Sequence, residues 1–369
     1  MRGGGGGGDG PKHQHSGYSG CLLPALALSL VMLSLCAVPV AGHETKLKLK
    51  PLSATKMRQF AALTRSEESL MEDVKALAIV RVADTPAHAR LQQWLVEQLE
   101  GAGGWTVERD TFLSDTPFGP KTFTNIIATQ SPSAKHRVVV AAHYESKYFE
   151  EPNEFVGATD SAAPCALLLD LAKTLSPSLD FNAKAASLQL IFFDGEEAFK
   201  EWTDTDSLYG SRHLAEKWEE EEALADIQLF VLLDVLGHAN TRLYSFHKDT
   251  EHLFARLSML EKLLKDQITK SATGPYFQTT SLAQRNVQDD HVPFEQRGVP
   301  VIHLIGVPFP PFWHTTGDNF EKIHGPTLQA LSTTLRVFIA ECLHLKSAIA
   351  APLFHSSLDP LEASAKDIL

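Results

Sequence analysis

The middle of the chain is divided by short, almost uniformly apolar runs. The most apolar of these runs occupy residues 137–142, 187–193, 227–233 and 299–305. Because polar residues do not alternate with the apolar ones, the pattern is typical of strands buried on both faces of a parallel sheet. Segments with helical patterning separate the runs, at residues 162–175, 208–222 and 250–267. This alternation predicts an α/β fold, a three-layer α/β/α domain with a mostly parallel central sheet.

The patterns on either side extend the same domain. A helical stretch is predicted at 66–101, and Gly103-Gly104 ends it before two alternating strands at 105–113 and 122–129. Apolar residues at helical spacing predict a final amphipathic helix. They are Leu328, Leu331, Leu335 and Phe338. No repeat or linker interrupts this region, so we expect a single catalytic domain over 43–345, followed by a loose tail over 346–369.

The first 42 residues predict a targeting segment that is separate from the domain. Residues 1–20 are Gly-rich and polar, which predicts disorder. Residues 21–41 carry no charge, follow the basic residues Arg2 and Lys12, and end in small residues, as a secretory signal peptide does. Their length also fits a signal anchor that crosses the membrane once. We therefore expect a protein that is secreted or lies in the lumen of the secretory pathway, with a Golgi membrane anchor as the alternative.

Composition and motifs narrow the class of function. With 44% hydrophobic and 21% charged residues the chain is ordinary globular material, and its net charge of -12 argues against a nucleic-acid partner. Only Cys165 and Cys342 lie beyond the targeting segment, which leaves no disulfide framework and no cysteine-based zinc motif. The sequence also lacks a Gly-x-Ser-x-Gly elbow, a phosphate-binding Gly-Lys-Ser/Thr loop and a Gly-x-Gly-x-x-Gly motif.

Histidine, aspartate or glutamate residues follow each of the four apolar runs. They are His143 and Glu145 after the first run, Asp194, Glu196 and Glu197 after the second, Asp234 after the third and His314 after the fourth. Asp160, just before the helical segment at 162–175, is a further candidate, although an Asp in this position also suits a helix N-cap. In open α/β sheets, ligands bind beyond the carboxyl ends of the strands, where all these residues are expected.

Taken singly, each of these residues has a structural explanation, such as a turn, a cap or a solvated surface. Taken together, they would place several carboxylates in one crevice, and such carboxylates repel unless a cation or protons neutralise them. Two histidines with several carboxylates, and no thiolate, suit a zinc ion with an open coordination position. The residues therefore predict a catalytic metal site at this edge of the sheet.

Five sequence segments resemble the animal glutaminyl-peptide cyclotransferases. The segments are FVGATDSA at 155–162, DGEEA at 194–198, DSLYGSR at 206–212, QDDHVPF at 288–294 and PFPPFWHT at 308–315. The likeness runs from about residue 65 to about residue 345, in order and with the spacings of that family. The wider relatives are the co-catalytic zinc aminopeptidases, which share the fold and the order of ligands.

The resemblance implies an enzyme that cyclises N-terminal glutamine to pyroglutamate and releases ammonia, with N-terminal glutamate left open as a second substrate. It implies one Zn²⁺ per chain, bound by Asp160, Glu197 and His314. It further implies Glu196 as the general acid/base and Asp234 as a second catalytic carboxylate. The substrate pocket is implied to contain Trp202, Gln288, Asp289, Phe309 and Trp313. Partners would be peptides and proteins with N-terminal glutamine, with no nucleic acid, and the chain is expected to be a monomer.

Two positions depart from the family pattern. Vertebrate members usually carry a cysteine where this chain has Ala142, bridged to the equivalent of Cys165, so we expect Cys165 to be a buried free thiol. The family's His-Tyr-Asp is here His143-Tyr144-Glu145. The extra methylene of Glu145 leaves the orientation of His143 open.

Two other functions are compatible with the same residues. A zinc aminopeptidase would use two metal ions, and His143 and Asp234 could supply the additional ligands. The aromatic loop at 308–313 and the segment at 206–212 favour the cyclase, because metal binding requires neither of them. A binding protein that has lost catalysis is disfavoured, since the acid/base carboxylates and the three implied ligands are all present.

Overall fold

The computed structural model describes residues 47–150, 153–268, 271–283 and 287–349. Its strands are β1 Thr106–Thr116, β2 Gly119–Thr129, β3 His136–His143, β4 Ala186–Phe193, β5 Ile227–Asp234, β6 Leu243–Ser245, β7 Phe277–Ser281 and β8 Val301–Ile305. Its helices are α1 Ala54–Ala61, α2 Glu67–Leu77, α3 Pro86–Gly101, α4 Ala163–Leu175, α5 Tyr209–Glu220, α6 Glu251–Leu263, α7 Val292–Glu295 and α8 Gly325–Cys342. The predicted targeting segment and the tail from residue 350 lie outside the described residues.

The main sheet has the strand order β1-β2-β4-β3-β5-β8. Strand β3 pairs in parallel with β4 and β5, and β5 pairs in parallel with β8. These four strands are the four apolar runs of the sequence. The β1–β2 hairpin joins the β4 edge in antiparallel orientation. The prediction of a mostly parallel central sheet is therefore confirmed, with an antiparallel hairpin at one side.

Helices cover both faces of this sheet. Val138 and Val140 of β3 point into the larger core, which α2, α4 and α8 complete. Val139 and Ala141 point the other way, into a second core with α5 and with Phe294 of α7. Alternate residues of one strand thus enter separate cores, which explains why the strands are apolar throughout and makes three layers.

The prediction of a helical stretch at 66–101 is wrong between residues 78 and 85, where the chain leaves α2 before α3 begins. Between them Asp84 adopts a φ of 63°, and Thr85 is extended. A residue before proline is driven out of the helical region, and Pro86 is the first residue of α3. The Thr85 Oγ1 accepts a hydrogen bond from the backbone N–H of His88 at 3.3 Å, which caps the new helix.

A second, two-stranded sheet of β6 and β7 was not expected from the sequence. Both strands are short, and β7 is largely exposed, so neither shows the apolar pattern of the main sheet. Within the described ranges, none of the helices has both the length and the apolar character that crossing a membrane requires.

Candidate active site and metal centre

The carboxyl ends of the parallel strands bring the predicted polar residues together. His143 and Asp234 are the last residues of β3 and β5, and the His143 Nε2 lies 3.4 Å from the Asp234 Oδ1. Glu196 and Glu197 follow β4, and His314 lies in the loop after β8. Neighbouring parallel strands end at the same edge, so residues far apart in sequence share one crevice.

Asp160, Glu197 and His314 form a cluster in which one ligand atom from each residue lies within 4.8 Å of the other two. The His314 Nε2 is 3.0 Å from the Glu197 Oε1 and 3.3 Å from the Asp160 Oδ2. Both carboxylates are buried, whereas the His314 side chain is 23% exposed. The cluster therefore faces solvent on its His314 side, as a metal site that admits a substrate must.

The charged groups of this cluster shift one another's pKa values. Burial opposes ionisation of Glu197, but His314 and Lys147 nearby lower the pKa of its carboxyl to about 2. Burial likewise opposes ionisation of Asp160, yet hydrogen bonds from His143 and His314 lower its pKa. Burial lowers the pKa of His314, and the attraction of Glu197 outweighs it and raises that pKa to about 9. The pocket therefore holds two carboxylates that require positive charge beside them.

The backbone around Asp160 is shaped by a close turn. Gly157 has a φ of 47°, and a Cβ at this position would lie 2.0 Å from the Asp160 carbonyl oxygen, so only glycine fits. The Asp318 Oδ1 accepts hydrogen bonds from the backbone N–H and the hydroxyl of Thr159, at 2.9 and 3.0 Å. The turn and the Asp318 carboxylate together fix the segment that presents Asp160. The N-cap of α4 is Ala162, so Asp160 does not have the capping role that its sequence position also suggested.

Arg81 ties this segment to the end of β3. Its fully buried guanidinium donates to the carbonyls of Tyr144, at 2.6 Å, and Gly157, at 3.1 Å. It also donates to the carbonyl of Val156. Burial lowers the pKa of Arg81, and the carboxylates of the site, Asp160 among them, oppose this shift. No local pattern in the sequence pointed to Arg81, because its role depends on loops that meet only in the folded protein.

Glu196, Asp234 and Asp289 form a second group of buried carboxyls. Burial raises the pKa of Glu196 well above its ordinary value. The negative charges of Glu197, Asp289 and Asp290 add to this effect. Burial, Asp289 and Asp160 raise the pKa of Asp234 to about 6. Burial also raises the pKa of Asp289 to about 7. Asp234 and Asp289 can therefore gain or lose protons near neutral pH, and the raised pKa of Glu196 makes it a stronger base than an exposed carboxylate, which suits proton transfer.

Hydrogen bonds position Asp234 and Asp289. The Asp234 Oδ1 accepts from the Ser161 hydroxyl and from the backbone N–H of Val235, the latter at 2.8 Å. The Asp289 Oδ2 and the His303 Nε2 are hydrogen-bonded at 2.7 Å. Sequence reasoning did not single out Ser161, although it adjoins a predicted ligand and follows the same turn.

Four of the five predicted pocket residues occur as two groups, each with at least one aromatic ring. Trp313 stacks on the imidazole of His314, with ring centres 3.6 Å apart, and Phe309 lies against Trp313 at 4.6 Å. Trp202 is 39% exposed, and its indole N–H donates to the Gln288 Oε1 at 2.8 Å. The first group therefore lines the solvent side of the metal cluster, and the second joins two loops that flank the crevice.

Lys147 is a further residue that the sequence did not indicate. Its ammonium group donates to the Glu197 Oε2 at 2.9 Å. Burial lowers the pKa of Lys147, and the attraction of Glu197 more than offsets this and raises it. One oxygen of Glu197 thus faces a lysine and the other faces His314, which fixes the orientation of the carboxylate.

The two departures from the family pattern have clear structural outcomes. Cys165 and Cys342 are free cysteines in the described part of the chain, and both are buried, as expected for Cys165. The Cys165 thiol donates to the His143 carbonyl at 3.0 Å. The Glu145 Oε1 lies 3.6 Å from the His143 Nδ1 and accepts the backbone N–H of Glu197 at 3.0 Å. Glu145 therefore supports the Glu197 segment as well as the side of His143.

Comparison with known proteins places these features in a family. The model of peptidase family M28 matches residues 125–339. The glutaminyl-peptide cyclotransferase of Boiga irregularis is 42% identical over 317 residues, which cover 80% of this chain and 86% of the relative. The crystal structure of Macrostomum lignano glutaminyl cyclase has 37% identity and a TM-score of 0.74, covering 81% of this chain and 96% of that one.

This chain belongs to the glutaminyl-peptide cyclotransferases of peptidase family M28. A Zn-dependent exopeptidase from Parabacteroides distasonis, at 21% identity and a TM-score of 0.59, shares the fold over 79% of this chain and 99% of its own length. Membership of family M28 indicates zinc. The residues present fit such an ion, because two buried carboxylates and an imidazole converge, with one ligand atom from each within 4.8 Å of the others.

Proposed function

We propose that this chain cyclises N-terminal glutaminyl residues of peptides and proteins to pyroglutamate and releases ammonia. Membership of the glutaminyl-peptide cyclotransferases supports this activity. The observation that carries it is the position of Glu196, a buried carboxyl of raised pKa directly beside Glu197 of the metal cluster. A proton acceptor and a site for a Lewis acid therefore adjoin each other, as attack of an amine on an amide carbonyl requires.

The catalytic site is proposed to hold one zinc ion, bound by Asp160, Glu197 and His314. When bound, zinc would act as a Lewis acid that polarises the γ-carbonyl of the glutamine side chain. Lys147 and Glu145 hold Glu197 in place from its side chain and from its backbone, and Asp318 holds the segment that carries Asp160.

Glu196 is proposed to move the proton in this reaction. Its raised pKa favours a carboxylate that takes a proton from the attacking α-amine and returns it to the leaving ammonia. Asp234 would bind the α-amino group, since its carboxyl shares the crevice and is held by Ser161 and Val235. Asp289 raises the pKa of Asp234 and so modulates the charge that meets the amine.

The aromatic groups are proposed to bind the small glutamine side chain and to exclude water. Trp313 and Phe309 form a continuous apolar wall beside His314. Trp202 and Gln288 would close the other side through their hydrogen bond. Exclusion of water favours intramolecular attack over hydrolysis, because the only nucleophile near the carbonyl is then the α-amine of the substrate.

A zinc aminopeptidase is the second candidate, and one observation favours it. His143, Asp160 and Asp234 form another group whose ligand atoms lie within 4.8 Å of one another, and Asp160 is common to both groups. The residues of the two groups would together hold two metal ions. The hydrogen bonds that the Asp234 Oδ1 accepts from Ser161 and Val235 favour the cyclase instead, because they occupy an oxygen that a second metal ion would need.

One assay separates the two activities. The purified zinc-loaded protein is given a peptide that begins with Gln and a matched peptide that begins with Leu, and ammonia release, peptide cleavage and product mass are followed. Loss of one ammonia from the Gln peptide, with the Leu peptide intact, is expected. Release of the first residue from either peptide, without cyclisation, would contradict the proposal.

We further propose that the protein is secreted or lumenal and acts as a monomer on its peptide substrates. The uncharged segment at 21–41 supports entry into the secretory pathway. Sequencing the N-terminus of the protein from the culture medium and from Golgi membranes would separate cleavage from anchoring. Sedimentation of the purified protein would give its oligomeric state.

A further inference from the structure

Three histidines outside the proposed catalytic centre form a separate cluster. His247 follows strand β6, His291 directly precedes α7, and His303 lies in the middle of β8. One ring nitrogen from each lies within 4.8 Å of the other two. The rings of His247 and His291 are 5.1 Å apart and nearly perpendicular, and those of His291 and His303 are 4.3 Å apart.

Carboxylates orient two of these imidazoles from outside the cluster. The His247 Nδ1 is hydrogen-bonded to the Glu295 Oε1 at 2.8 Å. The His303 Nε2 is hydrogen-bonded to the Asp289 Oδ2 at 2.7 Å. With the ring proton on the nitrogen that faces the carboxylate, the other nitrogen of each ring presents a lone pair. Metal-binding histidines are typically oriented by carboxylates in this way.

The nitrogens left over are buried and unsatisfied. The His247 Nε2, the His291 Nδ1 and the His303 Nδ1 have no hydrogen-bond partner among the described residues. Buried polar atoms are nearly always hydrogen-bonded, so three orphan atoms from neighbouring rings require an explanation. A cation that accepts three lone pairs supplies one.

We propose that His247, His291 and His303 form a second metal site, for a zinc-class divalent ion, separate from the Asp160, Glu197 and His314 cluster. Three imidazole ligands suit Zn²⁺, Cu²⁺ or Ni²⁺ and disfavour Mg²⁺ and Ca²⁺, which prefer oxygen. Three protein ligands leave one tetrahedral position for water.

The electrostatic setting agrees with this assignment. Burial and the neighbouring histidines lower the pKa of His291, and burial lowers the pKa of His303 to about 3. Both imidazoles are therefore neutral at physiological pH, which is the form that binds metal. The His247 side chain is 9% exposed and that of Glu295 is 34% exposed, so an ion would enter from the His247 side.

The site is linked to the catalytic crevice through a single residue. Asp289 accepts the hydrogen bond of His303 and precedes Asp290 and His291, so it lies between the histidine cluster and the crevice that contains Asp234. A metal ion on the inner nitrogen of His303 would strengthen the outer N–H as a donor to Asp289. Occupancy of the cluster would thus strengthen the hydrogen bond that orients the Asp289 carboxylate.

The test measures metal content after dialysis of the full-length protein against zinc and then against metal-free buffer. Wild type is expected to retain two ions per chain, and His247→Phe, which keeps an aromatic ring against His291, is expected to retain one. His252→Phe, at an exposed position of α6, is the matched control and should retain two. Glu295→Gln should weaken binding of the second ion by roughly 10-fold or more.

A catalytic site with two metals predicts a different pattern. In that case Asp160→Asn would lose both ions and His247→Phe would lose none. Under our proposal Asp160→Asn loses one ion and keeps the ion at the histidine cluster. Titration of Asp160→Asn with Co²⁺ adds a spectroscopic readout, because Co²⁺ bound in a tetrahedral three-histidine site absorbs visible light. Equal metal content in wild type and His247→Phe would overturn the proposal.

Discussion

Replacing Glu196 by Gln tests the proposed chemistry most directly. The amide has nearly the same shape as the carboxyl, so no cavity forms, but it cannot accept a proton at any relevant pH. General acid–base catalysis contributes about 10²- to 10⁴-fold. Loss of the base should therefore reduce kcat for a Gln-initiated peptide by this factor, which corresponds to about 3–5 kcal/mol of transition-state stabilisation.

The structure sharpens this expectation in two respects. Burial and the neighbouring carboxyls raise the pKa of Glu196. Because the side chain is buried, water cannot easily replace it as the base. It is not one of the three residues of the metal cluster, so Glu196→Gln should retain zinc. The assay compares kcat, KM and zinc content with those of wild type. Glu201→Gln, at a nearby exposed position, serves as the matched control and should behave as wild type.

The reasoning fails if Glu196→Gln, with zinc bound, keeps kcat within a few-fold of wild type. Proton transfer would then have to be assigned to another group, and Asp234 would be the next to examine. A loss of zinc together with activity would instead place Glu196 among the residues that hold the metal.

Three further predictions concern stability, thiol reactivity and substrate binding. The fully buried Arg336 of α8 and Asp170 of α4 form an ion pair at 2.8 Å, so Asp170→Ala should lower the free energy of unfolding by about 3–5 kcal/mol in urea denaturation at fixed zinc concentration. Replacing both by Met and Leu should restore most of that loss, and a double variant as unstable as Asp170→Ala would refute the argument. Cys165 is buried with a pKa raised to about 12 by burial, so peptide mapping should find it unlabelled by a thiol reagent at pH 8 in the native protein and labelled after denaturation. Trp202→Phe removes the hydrogen bond to Gln288 at an exposed position and should raise KM several-fold with little change in Tm, whereas an unchanged KM would remove this pair from the substrate pocket.

The sequence by itself determined the sheet and the edge at which the site forms. Uniformly apolar runs can be satisfied only by strands covered on both faces, and the helical segments between them require parallel crossovers. Once the strands are parallel, residues such as His143 and Asp234 lie at the same edge of the sheet, because each is at the carboxyl end of its strand. For that reason the approximate position of the candidate site could be inferred without coordinates.

Only the tertiary structure decided which residues support that site. Arg81, Lys147 and Asp318 lie in loops with no periodic pattern, and their contacts depend on how distant segments return to the crevice. The same holds for His247, just after β6, and His303, in β8, which share a cluster only after β6 is placed beside β8. Local sequence patterns report burial and backbone conformation over a few residues, whereas a hydrogen bond or a shared ligand requires atoms within a few ångströms. That proximity is fixed by packing of the whole domain.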